Sequence, residues 1–207
     1  MIRLNGVDKE STINQVTDKP MGAYALANEP NLYQPQETNH FEFLVEGLNN
    51  ILRPGTTGEE SFAKLANAEE VIRVSVSQAF IPHFTQNPIE IKRGNTTIKV
   101  AGTPTFDGGS LVLNDFIGAE TAVVLAAWQN LSYNVKTEKV GLMSDYKKDA
   151  WLVEYTPDYQ VVRQWILHGC WISGLSESTL SYESNDKNQI TATIQYDYAE
   201  IDNSELV

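Results

Sequence analysis

The chain has 207 residues, 42% of them apolar, which suits a domain with a packed core and excludes wholesale disorder. Fifteen Lys and Arg against 27 Asp and Glu give a formal net charge of −12, which excludes nucleic-acid binding by phosphate neutralisation and also suits simple solubility. One cysteine, Cys170, excludes an intrachain disulfide, and no apolar run has the length of a signal peptide or a membrane span, so the expectation is a chain folded in a cytoplasm without membrane anchoring.

Residues 1–39 carry Asn5-Gly6, Lys19-Pro20, Glu29-Pro30 and Gln34-Pro35 without steady periodicity, which predicts turns and extended chain. This segment is either a loose terminus or an arm that orders against a partner, with Tyr24, Leu32 and Tyr33 among the side chains it has to bury. The remainder, 40–207, forms the main domain. His40 to Leu48 alternates, with Phe41, Phe43 and Val45 on one face of a half-buried strand. The connection from Asn49 to Glu69 is long for a compact domain. Ile51 and Leu52 open it, Arg53-Pro54-Gly55-Thr56-Thr57-Gly58 is a turn, and Glu59 to Asn67 reads as a short helix with Phe62 and Leu65 inward. Val71 to Phe80 reads as a strand. Ile89 to Ala101 reads as a hairpin about Gly94-Asn95, and Asp107-Gly108-Gly109 as a turn into a short strand, Ser110 to Leu113.

A long helix is predicted over about 114–131, capped by Asn114 or Asp115. Phe116, Val123, Val124, Ala127 and Leu131 make a stripe at helical spacing. Ile117, Leu125 and Trp128 put apolar atoms on most of the remaining circumference, so cover is wanted on more than one side. Strands follow at about Tyr133–Leu142, Lys148–Tyr155, Val161–Trp171 and Asn188–Ile201. In the last, Ile190, Ala192, Ile194, Tyr196 and Tyr198 share one face. Gln189, Thr191, Thr193, Gln195 and Asp197 share the other, which must meet water. The fold class that follows is mainly β: two packed antiparallel sheets, a sandwich or partial barrel, with one flanking helix.

No catalytic or metal constellation emerges, and no cofactor is implied. Gly55-Thr56-Thr57-Gly58 lacks the Lys and spacing of a phosphate loop. His168 and Cys170, two apart in a strand, share a face as a nucleophile and its base would; without a second Cys, and beside Trp171, a buried inert thiol fits better. Glu59-Glu60 and Glu69-Glu70 are adjacent pairs whose side chains diverge. Asn95-Thr96-Thr97 and Asn130-Leu131-Ser132 match a glycosylation pattern by chance. Trp165 and Trp171, six apart on one strand, share a face and read as core more than as a sugar platform, and Trp151 beside Val153 also reads as structural.

The run Asn114-Asp115-Phe116-Ile117-Gly118, Ala127-Trp128-Gln129, Tyr133-Asn134 resembles the tail-tube protein family of contractile-tailed bacteriophages. Lys148-Asp149-Ala150-Trp151-Leu152-Val153-Glu154-Tyr155-Thr156-Pro157 and Gln164-Trp165 through Gly169-Cys170-Trp171-Ile172 fit that family's next strands. The likeness spans about residues 40–201. It implies a hexameric ring in which one sheet of each copy closes a β-barrel, stacked into a virion tail tube that conducts the genome into the host. It implies as partners other copies of the chain, a tail sheath, baseplate and tail-terminator proteins, with tape-measure protein and phage DNA passing through the lumen without specific binding. The tube of type VI secretion shares that fold, so such a tube or that of a phage-derived bacteriocin is the alternative. A β-sandwich carbohydrate-binding module is the second, and an enzyme has no support. The arm and the 49–69 loop are expected to reach neighbouring subunits or the next ring, through Tyr24, Leu32, Tyr33, Ile51, Leu52, Phe62 and Leu65. Helix packing falls to Phe116, Val123 and Trp128, and Gln189, Thr191, Thr193, Gln195 and Asp197 are candidates for the lumen. An acidic lining that repels phosphate is the expected use of the charge.

Overall fold

A computed structural model describes residues 3–4, 7–8, 35–49, 51, 67–118, 120–183 and 185–202. Tyr24, Leu32, Tyr33, Leu52, Phe62 and Leu65, and the short helix expected over 59–67, lie outside the described residues. The chain divides into two compact units, Met1–Asn39 and His40–Val207. In the first, β1 (Arg3–Leu4) pairs antiparallel with β2 (Val7–Asp8).

The second unit is mainly β. Its elements in chain order are β3 (Phe41–Val45), α1 (Ala68–Ser75), β4 (Val76–Gln78), β5 (Phe84–Gln86), β6 (Ile89–Arg93), β7 (Thr96–Val100), β8 (Pro104–Phe106), β9 (Gly109–Asn114), α2 (Thr121–Ser132), β10 (Tyr133–Asn134), β11 (Lys139–Val140), α3 (Met143–Tyr146), β12 (Lys148–Tyr155), β13 (Val161–Glu177), β14 (Gln189–Gln195) and β15 (Tyr198–Asp202). One antiparallel sheet runs in the order β3-β12-β13-β14-β9-β4, with β15 also on β13. The 17-residue β13 joins its halves. The amino-terminal part of β13 pairs with β12 and β15, forming a first half-sheet with β3. Its carboxy-terminal part pairs with β14, forming a second half-sheet with β9 and β4. The break falls at Gly169, whose φ of 69° is open to glycine at little cost. There Gly169 N–H donates to Asp149 Oδ1 at 3.2 Å.

Side chains from both half-sheets meet the helices in one core of Phe43, Leu152, Leu167, Leu111, Ile190 and Ile194, with Ile72, Leu125 and Trp128 from α1 and α2. Trp128 Nε1 donates to the Tyr146 carbonyl at 3.1 Å, which ties α2 to α3. Ser75 and Thr121, both fully buried, share a 3.0 Å hydroxyl bond between α1 and α2.

Several expected boundaries shift. Val71–Phe80, read as a strand, is helical as far as Ser75 and a strand only over Val76–Gln78: Ala68, Ile72 and Ser75 are buried at i, i+4 and i+7, with Glu69 and Glu70 in the first turn where the dipole favours them. The long helix begins at Thr121 and not at 114. Asn114 still belongs to β9, and Asp115 N–H continues the ladder to the Asn188 carbonyl at 3.0 Å. Phe116 and Ile117 therefore precede the helix and are exposed. Tyr133–Leu142 is only the two-residue pairing of β10 with β11. Asn188–Ile201 breaks at Tyr196 and Asp197 into β14 and β15.

Candidate functional site: an exposed hairpin and an uncovered sheet face

The 84–106 segment is a two-tier antiparallel hairpin. β5 pairs with β8, and beyond them β6 pairs with β7 in register Ile89↔Val100, Ile91↔Ile98 and Arg93↔Thr96. Gly94, with φ of 63°, and Asn95 make the two-residue turn. Alternation puts Ile89, Ile91, Ile98 and Val100 on one face, where all four are about half exposed: 57%, 50%, 47% and 46%. The other face carries Glu90 and Lys99, 3.6 Å apart. A two-stranded ribbon with one bare apolar face is marginal alone in water and wants a partner. Sequence reading found the hairpin but not its exposed apolar face; the period-2 run of Ile89, Ile91, Ile98 and Val100 was the signal.

The hairpin is held at its root by aromatic contacts that lead into the core. Phe84 and Phe106 lie 5.6 Å apart, Phe106 meets Tyr196 edge-on at 6.0 Å, Tyr196 stacks on Phe80 at 5.9 Å, and Phe80 meets Phe43 at 6.5 Å. The Tyr196 hydroxyl donates to the His83 carbonyl at 3.1 Å and accepts from His83 N–H at 3.2 Å. Burial raises the phenol's pKa above its ordinary value.

A second fixture sits at the base of the 49–69 connection. Glu69 Oε1 accepts from the N–H groups of Gly47, Leu48 and Asn49 at 2.9, 3.1 and 3.3 Å, while Asn49 Oδ1 accepts from Glu69 N–H at 3.4 Å. The two ends of the connection are thus clipped together. Beside the clip lies an open depression of about 540 Å³ lined by Leu44, Asn67, Arg73 and Trp151, among others. Ile51, expected at a contact between subunits, is instead buried in the chain's own core at 8% exposure.

The thiol–imidazole pairing does not form. The break at Gly169 resets the alternation, so Cys170 enters the core while His168 faces out, stacked on Tyr198 at 4.5 Å and flanked by Asp149 and Glu200 at 3.5 and 3.4 Å. Burial, then the Asp149 and Asp197 carboxylates, push the Cys170 pKa far up, so the thiol keeps its proton. The same break separates Trp165, which packs on the core, from Trp171, which pairs with Gln195 on the opposite face.

No protein-family model matches the chain, and no curated protein matches it. Solved structures do. The sheath/tube terminator of an extracellular contractile injection system in its extended state is 16% identical, with a TM-score of 0.54 over 83% of this chain and 99% of that one. The sheath–tube complex of such a system, also extended, gives 18%, 0.51, 86% and 96%, and the tube-terminating cap of the anti-feeding prophage 15%, 0.50, 82% and 91%. The chain adopts the tail-tube fold. At these identities the likeness is one of fold, and it spans nearly the whole of each matched chain.

Within the tail-tube fold the remaining expected residues are placed as follows. Trp128 is buried and Val123 packs at the margin of the core. Gln189, Thr191, Thr193 and Gln195 lie together on the face of β14 turned from the core, aligned with Asn114, Val112 and Ser110 of β9. Asp197 departs from that row. It sits in the bend after β14, where its carboxylate receives Lys147 Nζ at 2.7 Å. Among the described elements both helices of the core lie on the opposite side, so the polar face is uncovered.

Proposed function

We propose that this chain is the structural subunit of a tail tube, a ring-forming protein without catalytic activity. Six copies close their half-sheets into one barrel, and rings stack into a hollow conduit. The observation that carries this reading is the 84–106 hairpin: a rooted ribbon with an apolar face left half exposed among the described residues. The sheet supports it. Among the described residues the second half-sheet is unpaired on its two outer edges, β4 and the carboxy-terminal part of β13, and closing a barrel across subunits removes such edges. The second half-sheet, with its hydrophilic face, lines the lumen, and the hairpin projecting from between β4 and β9 docks on the adjacent ring. Residues 1–39 and the clipped 49–69 loop add contacts between subunits.

The particle in which we place it is the tail of a contractile bacteriophage, assembled in the host cytoplasm, with the sheath, baseplate and terminator as partners and the tape-measure protein and genome as contents of the lumen. The three solved structures described above belong to contractile injection systems and the anti-feeding prophage, which favours a second reading with the same mechanics and a different cargo. Neighbouring genes separate the two: capsid and terminase genes for a virion, effector and ATPase genes for a secretion device. Negative-stain microscopy of the pure chain tests the shared core of both. Six-fold rings or tubes are expected, and a monodisperse monomer at high concentration refutes it.

A further inference from the structure

The uncovered face of the second half-sheet has an unexpected composition. From β9 it presents Ser110, the apolar Val112 and Asn114, and from β14 Gln189, Thr191, Thr193 and Gln195. The paired positions of β13 add Ser176 and Trp171. None of these ionises. Among the described residues no acidic side chain lies at these outward positions, although 27 Asp and Glu in the chain made an acidic wall the natural expectation. The nearest charges stand at its ends: Asp107 and the Lys147–Asp197 pair at one end, Asp115 and Glu177, which pairs with Ile190, at the other. At its Gln189 end the face also satisfies itself. Gln189 Nε2 donates to Ser77 Oγ at 3.3 Å and to Asn114 Oδ1 at 3.2 Å, and Ser77 Oγ donates to the Val112 carbonyl at 3.1 Å. Amides and hydroxyls that bond one another leave little to grip a passing chain.

We infer that the lumen wall is a charge-free amide–hydroxyl surface, and that the conduit admits polar cargo without selecting it by charge. This rests on the placement of that face in the lumen. Non-adhesion then comes from hydration and internally satisfied hydrogen bonds. Electrostatic repulsion of phosphate plays no part along the wall, and the acidic balance of the chain acts elsewhere.

The test reads the potential at the wall itself. Thr193→Cys and, separately, Ser110→Cys place a thiol on exposed, mutually paired positions, while the native Cys170 stays buried. In tubes assembled from each full-length variant, modification rates by a cationic and an anionic methanethiosulfonate are measured and each is referred to a free thiol. The expected ratio of the two relative rates stays within about threefold of unity and is the same at low ionic strength as at about 1 M salt, where the screening length is about 3 Å. A wall carrying an acidic field would favour the cationic reagent about tenfold or more at low salt and lose the preference at high salt, which overturns the proposal. Thr191→Asp beside Thr193→Cys serves as the responsive control and should introduce that preference. Failure to form tubes strikes the proposed function; tubes whose wall thiols discriminate by charge strike this inference alone.

Discussion

Replacing Ile91 and Ile98 together by threonine tests the hairpin as the contact between rings. Threonine is β-branched and keeps the strand preference of the ribbon. The two isoleucines face each other across β6 and β7 and are 50% and 47% exposed. Full burial of an isoleucine is worth about 1.5–3 kcal/mol, so roughly half of that, near 1 kcal/mol per side chain, is still to be gained when a partner covers them. Removing both should weaken each hairpin contact by about 2 kcal/mol, or about 30-fold in its association constant. The assay is sedimentation of assembled material against total protein, beside thermal unfolding of the unassembled chain. The assembly threshold should rise by at least about that factor, while the unfolding temperature moves by no more than about 3 °C, because little buried area is lost within the subunit. An unchanged threshold with the tubes intact would refute the reasoning.

Three further outcomes follow from the interior. Ser75→Ala strands the buried Thr121 hydroxyl and should cost about 1–3 kcal/mol in denaturant unfolding, whereas Ser75→Ala with Thr121→Val should recover most of it; equal losses in single and double variants would dissolve the pairing. Glu69→Ala removes the acceptor of three backbone N–H groups and should destabilise by about 2 kcal/mol, visible as a drop of about 6 °C in unfolding temperature, with Glu69→Gln intermediate. Cys170 should resist alkylation until the chain unfolds. Its folded pKa is raised, so the unfolded thiol gives up its proton first; stability should fall as pH climbs past the unfolded value of about 8.5, and Cys170→Ala should flatten that decline.

Where an element obeyed one period, the sequence showed it. Lys148–Tyr155 stands as read, the Gly94-Asn95 hairpin pairs in the expected register, and the alternation of Gln189 to Gln195 marks both the core and the uncovered face. Elements that break period were misread for local reasons. Val71, Ile72 and Val74 look like a strand because they are β-branched, yet burial of Ala68, Ile72 and Ser75 selects the helix, and the strand begins only at Val76. Counting by two through Gly169 put His168 with Cys170 and Trp165 with Trp171, since a positive φ in mid-strand leaves no periodic trace. The hairpin's exposed face was hidden for another reason. Ile89, Ile91, Ile98 and Val100 look like core in a string of letters, and only the fold shows that they stand about half exposed.

The long strand β13 has a kinetic consequence. Its amino-terminal part needs β12 and β15, its carboxy-terminal part needs β14, and β12 in turn pairs with β3, Leu152 facing Phe43 across more than a hundred residues of chain. Contacts so far apart in sequence must wait for loop closure, so the sheet is a slow, late product of folding. The β6–β7 ribbon, by contrast, closes over two residues and forms on the microsecond scale of an isolated hairpin. The sticky element is therefore ready before the scaffold that aims it. Its anchoring side chain Tyr196 lies after β14, near the end of the described chain, so the ribbon is held at its working angle only once nearly the entire sequence has emerged and packed. Any docking that needs that angle would thus wait until β14 and Tyr196 have been made.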